Sequence, residues 1–249
     1  MEDIFYKNLL RSVAEKKRQL AILIDPDKFD KTEIDSFLKK IPKQTTHLFV
    51  GGSTVANGET EATVKVLKAE TNLPIFLFPG DWSQITPLAD ALLFLTLLSG
   101  RNAEYLIGQQ IKSISKLKNS ALEIISTGYI LIDGGNDSAV SKVTNTEPLP
   151  QENIENIVHT AMAGQFMGAK LIYLEAGSGA KFPVKPEIIS EVKKAIKIPL
   201  IVGGGIKTET QKNTVYEAGA DMIVMGTAFE NPTPAHPSKG GDNSPFEGG

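Results

Sequence analysis

The chain has 249 residues, 41% of them hydrophobic and 22% charged, and 26 Lys+Arg against 29 Asp+Glu leave a net charge of −3. The length suits one (β/α)₈ barrel of about 250 residues, and the composition is that of a soluble globular chain, not a disordered one. The charge balance leaves no basic field for nucleic acid or an anionic membrane, and the lack of cysteine excludes disulfides, thiolate nucleophiles and cysteine-held zinc or iron–sulfur sites.

The opening Met1-Glu2-Asp3-Ile4 has no basic region followed by an apolar stretch, so no secretory signal is expected and the chain reads as cytoplasmic. Eight short apolar runs then follow: Leu20–Ile24, His47–Val50, Pro74–Phe78, Ala91–Leu98, Glu123–Ile132, Leu171–Leu174, Leu200–Val202 and Met222–Met225. Several are rich in Ile, Val, Leu and Phe without polar alternation, the pattern of parallel strands covered on both faces. The longest uninterrupted apolar stretch, around Ala91–Leu98 and containing Thr96, is far short of the roughly 20 residues that span a bilayer, so no stable membrane insertion is expected. Between the runs lie amphipathic stretches at Glu59–Glu70, Ala103–Lys118, Asn153–Met167, Lys185–Lys197 and Thr208–Ala218, where apolar residues such as Val64, Val66 and Leu67 form a helical stripe.

Strands alternating with helices imply a parallel sheet with right-handed crossovers. Glycine and polar residues follow seven of the eight runs: Asp25, Gly51-Gly52-Ser53, Pro79-Gly80, Ser99-Gly100, Gly177-Ser178-Gly179, Gly203-Gly204-Gly205 and Gly226-Thr227. Loop chemistry gathered on one rim favours a closed TIM barrel. A dinucleotide-binding sheet would need GxGxxG after the first strand, where Asp25-Pro26-Asp27-Lys28 stands instead. The expected organisation is one barrel domain over residues 1–230 and a disordered tail over 231–249, with Asp133–Gln151 a long, functional or mobile connection. Asn136-Asp137-Ser138 is formally a glycosylation sequon and is read as coincidence without an export signal.

Three glycine loops close the last three strands, around Tyr173–Ala180, Ile201–Ile206 and Val224–Ala228. Glycines let backbone N–H groups approach an anion, and barrels commonly bind phosphate after strands seven and eight. Tight turns are the plainer alternative for any one loop; three adjacent ones favour phosphate. Asp25 at the tip of the first strand, with Ser53 beside it, suits Mg²⁺ held by a carboxylate and substrate phosphate. It suits equally a helix cap with Pro26 in the first position. Glu175, at a strand end before a glycine loop, suits a general base, against a salt bridge to Lys207. The spacing of His47, His159 and His236 matches no metal triad. Trp82 and Phe29 suit either an apolar groove or the core.

The segments LIDPDK, HLFVGGST, FPG, LLSGRNAEYLIG, STGYILIDGG, YLEAGSGA, IVGGGI and VMGTAF, spread over residues 5–230, together resemble the geranylgeranylglyceryl phosphate synthase family. The bacterial group, related to heptaprenylglyceryl phosphate synthase, is the nearest likeness. Arg101-Asn102, followed by Tyr105-Leu106-Ile107-Gly108, resembles one bacterial and archaeal branch. The resemblance implies Mg²⁺-dependent transfer of a prenyl group to the C3 hydroxyl of sn-glycerol 1-phosphate, with release of diphosphate. By matched position Asp25 and Ser53 would ligate Mg²⁺. Tyr173, Glu175, Ala176, Gly177, Ser178, Gly179, Gly203, Gly204, Gly205, Gly226 and Thr227 would surround glycerol phosphate, with Glu175 as base. Phe78, Leu97, Leu98 and Tyr105 would line the prenyl groove, Tyr105 acting as a chain-length ruler for a C20 donor. Relatives that form dimers or hexamers imply a homo-oligomer. A phosphosugar isomerase or synthase, or a non-catalytic phosphometabolite-binding barrel, would share the glycine loops. Neither needs the rim carboxylate together with an apolar groove.

Overall fold

Eight parallel strands close on themselves in sequential order, β1 pairing with both β2 and β8. The structure is a computed structural model that describes residues 3–226. Thr227 and the segment 231–249, expected as a tail, lie outside the described residues. The strands are β1 (Gln19–Ile24), β2 (His47–Val50), β3 (Ile75–Leu77), β4 (Ala91–Leu97), β5 (Glu123–Leu131), β6 (Leu171–Glu175), β7 (Leu200–Gly203) and β8 (Met222–Met225). The helices are α1 (Ile4–Ala14), α2 (Ile34–Lys40), α3 (Glu59–Glu70), α4 (Gln109–Leu117), α5 (Ala139–Thr144), α6 (Ile154–Phe166), α7 (Pro186–Ala195) and α8 (Glu209–Glu217).

The apolar runs lack polar alternation because both strand faces are buried. One set of side chains, Ala21, Phe49, Phe76, Leu93, Ile125, Tyr173, Ile201 and Val224, fills the barrel. The residues alternating with them, such as Ile22, Leu48, Leu92, Ile172 and Ile223, pack under the helices. Each fully buried aliphatic side chain contributes roughly 1.5–3 kcal/mol. In α3 the stripe narrows to Val64 and Leu67, with Thr60 and Thr63 buried beside them and Val66 only half-buried.

Two matching clamps brace the end where the strands begin. Asp90 accepts the Ile75 N–H and pairs with Lys68 of α3. Asp221, before β8, accepts the Leu200 N–H and pairs with Lys193 of α7. The N-terminal α1, outside the anticipated helices, packs across this end, placing Leu9 among the barrel-filling residues. Glu123 starts β5 and accepts the N–H groups of Phe5 and Tyr6 at 2.7 and 2.6 Å, so its carboxylate serves the positive end of α1. The opposite end is left open for chemistry.

Two expectations need correction. The β3–β4 crossover, alone among those described, has no α-helix, only a 3₁₀ turn at Trp82–Gln84. The outer face of β4 around Leu92 and Phe94 is therefore reachable from the rim. The Asp133–Gln151 connection is not a plain loop: it holds α5, capped by the Ser138 side chain, and a β-bridge joins Ile132 to Leu149. No helix among the described residues is long and apolar enough to cross a membrane.

Candidate active site

At the open rim a cavity of about 370 Å³ is lined by Asp25, Ser53, Glu175, Gly177, Gly204 and Gly226. It thus joins the first-strand carboxylate to all three glycine loops. From there it runs over Phe78, Leu97 and Tyr105 and reaches Leu92, Phe94 and Trp82 beside the β3–β4 gap. The result is a polar mouth with an apolar arm.

Asp25 does not cap a helix. Its Oδ1 accepts the Asp27 N–H at 3.2 Å, and Lys28 Nζ stands 3.1 Å from Oδ2; the cap of the next short turn is Asp30. A Cβ on Gly52 would lie 3.2 Å from Asp25 Oδ1, so glycine lets the loop carrying Ser53 sit against the carboxylate. Gln84 fixes that loop, donating to the Gly52 carbonyl at 2.8 Å and accepting the Gly52 N–H at 3.3 Å. Asp27 adds a tie by accepting the Ala56 N–H at 3.1 Å.

Glu175 ends β6 and is 7% exposed. Burial pushes its carboxyl up to about 7, against the Gly177 N–H, which donates to Oε1 at 2.7 Å and favours the ionised form. Lys207 does not pair with it, donating instead to the Ala180 carbonyl at 3.1 Å. The Tyr173 hydroxyl is sealed from solvent beside Glu175 and also favours the ionised carboxylate. It shares with Glu175 Oε2 the space above Gly203, where a Cβ would strike both. Burial raises the Tyr173 and Tyr129 hydroxyls well above the ordinary tyrosine range, with Glu175 adding to both. Phe78 stacks on Tyr173 at 5.1 Å, and Tyr129 lies 5.4 Å from Tyr173.

Beyond Glu175 the backbone turns through left-handed conformations at Gly177, Gly179, Gly204 and Gly205, φ +98, +71, +82 and +70°. Such angles are open to glycine at little cost. The N–H groups of Gly179, Gly204 and Gly205 donate to no atom among the described residues. They form an anion-ready cradle.

Of the sequence-expected residues, Asp25, Ser53, Tyr105, Glu175, Gly177, Ser178, Gly179, Gly204, Gly205 and Gly226 share the cavity wall. Tyr173, Ala176 and Gly203 sit directly behind it, and Thr227 is outside the described residues. Leu98 is a correction: it faces outward, where a Cβ on Gly128 or Gly164 would meet its methyl group. Trp82 lines the cavity, 38% exposed, whereas Phe29 packs on Phe37 at 5.2 Å outside it. His47 is buried against Phe76, which drives its imidazole down to about 4. Tyr129, Gln84 and Lys28 were not anticipated.

Residues 12–237 match the PcrB family. The chain belongs to that family. Among its PcrB-family relatives, the geranylgeranylglyceryl phosphate synthase of Zunongwangia profunda is 53% identical over 90% of this chain and 95% of its own. That of Flavobacterium johnsoniae is 51% identical over 91% and 93%. A crystal structure of (S)-3-O-geranylgeranylglyceryl phosphate synthase from Thermoplasma acidophilum, in complex with its substrate sn-glycerol-1-phosphate, superposes with a TM-score of 0.84. It is 32% identical and covers 92% of each chain.

Proposed function

We propose that this PcrB-family chain is a geranylgeranylglyceryl phosphate synthase of ether phospholipid biosynthesis. It would join the C3 hydroxyl of sn-glycerol 1-phosphate to C1 of geranylgeranyl diphosphate and release diphosphate. One observation carries the reading: a buried carboxylate, Glu175, lines one cavity with an unsatisfied N–H cradle and a rim carboxylate, and that cavity continues as an apolar arm. The names of the relatives and the glycerol phosphate bound to the Thermoplasma acidophilum protein support it.

Each residue has a task. The N–H groups of Gly179, Gly204 and Gly205 hold the phosphate of the acceptor. Glu175 accepts the proton of the C3 hydroxyl as the ether bond forms. The Phe78 and Tyr129 rings, both on the cavity wall, are available to positive charge at the allylic C1. Asp25 and Ser53 fit Mg²⁺, which is usually held by one or two carboxylates plus substrate phosphate oxygens. No group of three or more His, Cys, Asp or Glu among the described residues offers an all-protein cage. When bound, the ion would neutralise charge on the leaving diphosphate, and Lys28, on the same cavity wall, would add a cation. Tyr105 limits the donor to about C20. The apolar arm has no use in a phosphosugar isomerase or a plain phosphometabolite-binding barrel. We assign the enzyme to the cytoplasm as a homo-oligomer, dimer or hexamer, by the family likeness and the lack of cysteine.

The test is an assay with Mg²⁺, radiolabelled glycerol 1-phosphate and prenyl diphosphates of graded length. Lipid-extractable label is expected, greatest with the C20 donor, and Asp25→Asn should lower its rate by roughly 10²-fold or more. No extractable product with any donor would overturn the function.

A further inference from the structure

Asn102 lies three residues before Tyr105, and its side chain works in two directions. Its Oδ1 accepts the Glu104 N–H at 3.1 Å, and its carbonyl accepts the N–H groups of Tyr105 and Leu106 at 3.1 and 3.2 Å. Asn102 therefore starts the single π-helical turn, Glu104–Gly108, that carries Tyr105. Its Nδ2 donates across the rim to the Thr144 carbonyl at 2.9 Å. The Tyr105 hydroxyl donates to the adjacent Val143 carbonyl at 3.4 Å. Both carbonyls belong to the last turn of α5, where a helix has no partners of its own.

A third contact follows the same line. A Cβ on Gly100 would stand 2.7 Å from Thr146 Oγ1, so the β4–α4 loop closes on the chain leaving α5 only because residue 100 is glycine. The side-chain hydrogen bonds of Ser138, Ser141 and Thr144 around α5 are all local. Six residues cannot hold a helix in place by themselves. Val140, Val143 and Thr144 of α5 nevertheless form one wall of the cavity, with Tyr105 among the lining residues. The two walls are thus tied by side chains from the β4–α4 segment.

We propose that Asn102 is a specificity-determining positioning residue: by pinning α5 to the turn that carries Tyr105, it keeps the groove closed to donors longer than C20. This rests on the prenyltransferase reading and on Tyr105 as ruler. Without the bond to Thr144, α5 can move off Tyr105 and open the arm to further isoprene units, while the cradle, Glu175 and Asp25 are untouched.

Asn102→Asp keeps the acceptor for Glu104 and removes the donor to Thr144; Tyr105→Phe keeps the ring and removes the hydroxyl. Initial rates of the full chain with Mg²⁺, glycerol 1-phosphate and C20, C25, C30 and C35 diphosphates read the effect. The C30-to-C20 rate ratio should rise about tenfold in Asn102→Asp, and less in Tyr105→Phe, whose bond is the longer. An unchanged ratio in both, with Tyr105→Ala still widening the donor range, overturns the clamp and leaves the ruler standing. No widening in Tyr105→Ala overturns both. Equal loss of rate with every donor marks a merely structural role and also overturns the clamp. If Asn102→Asp does not fold, Tyr105→Phe alone decides by its ratio.

Discussion

Replacing Glu175 with Gln is expected to abolish turnover and, above pH 7, to make the fold more stable. Burial raises the carboxyl from its ordinary 4.5 to about 7, so the folded chain holds a proton that the unfolded chain has released. Stability is therefore lost as pH rises from 4.5 to about 7, and the loss is complete above the folded value. That gap corresponds to roughly 3 kcal/mol at pH 8. Gln removes the penalty and keeps an acceptor for the Gly177 N–H, giving up about 1 kcal/mol of charge-assisted hydrogen bonding. A net gain of about 2 kcal/mol follows, or roughly 4–8 °C in Tm for a chain of this size. Thermal unfolding of both proteins at pH 5 and pH 8 measures it. The gain should appear at pH 8 and shrink at pH 5, where wild-type Glu175 is largely protonated. A variant no more stable at pH 8, with the same difference at both pH values, would refute the buried-base assignment.

The same carboxyl shapes the kinetics: kcat/KM should fall with decreasing pH below about 7, and a rate flat from pH 8 to pH 5.5 would exclude Glu175 as base. Gly204→Ala places a Cβ at φ +82° against Glu175 Oε1 and 2.7 Å from the Gly177 nitrogen. Calorimetry with glycerol 1-phosphate should show affinity lowered by roughly 10²-fold or more. Glu123→Ala removes the acceptor of the first N–H groups of α1, at a cost of roughly 2–4 kcal/mol. Amide exchange should rise selectively across Ile4–Ala14.

The barrel was legible because its strands are short and apolar on both faces, and seven of the eight apolar runs lead into glycine or polar residues. His47–Val50 and Met222–Met225 match the strands residue for residue, and the others differ by one position at one or both ends. What stayed hidden had no periodic signal. The missing β3–β4 helix leaves only Asp81-Trp82-Ser83-Gln84, whose turn is made by the Asp81 carboxylate accepting the Ser83 N–H. α5 is six residues long and exists through its Ser138 cap and long-range contacts, such as that of Thr144 with Asn102, 42 residues away.

Within the site, legibility followed the backbone more than the side chains. Glycine loops and strand-end carboxylates announce themselves because few residue types can do their work at those positions. Tyr129 does not: it sits mid-strand in β5, and only the register that sets it opposite Tyr173 on β6 brings it to Glu175. Leu97 and Leu98 show the same limit from the other side. Adjacent in the run Ala91–Leu98, whose one polar member is Thr96, they point to opposite faces, Leu97 into the barrel and Leu98 under α6. A run buried on both faces has no regular polar alternation to fix that parity, so which leucine lines the cavity is decided by barrel closure.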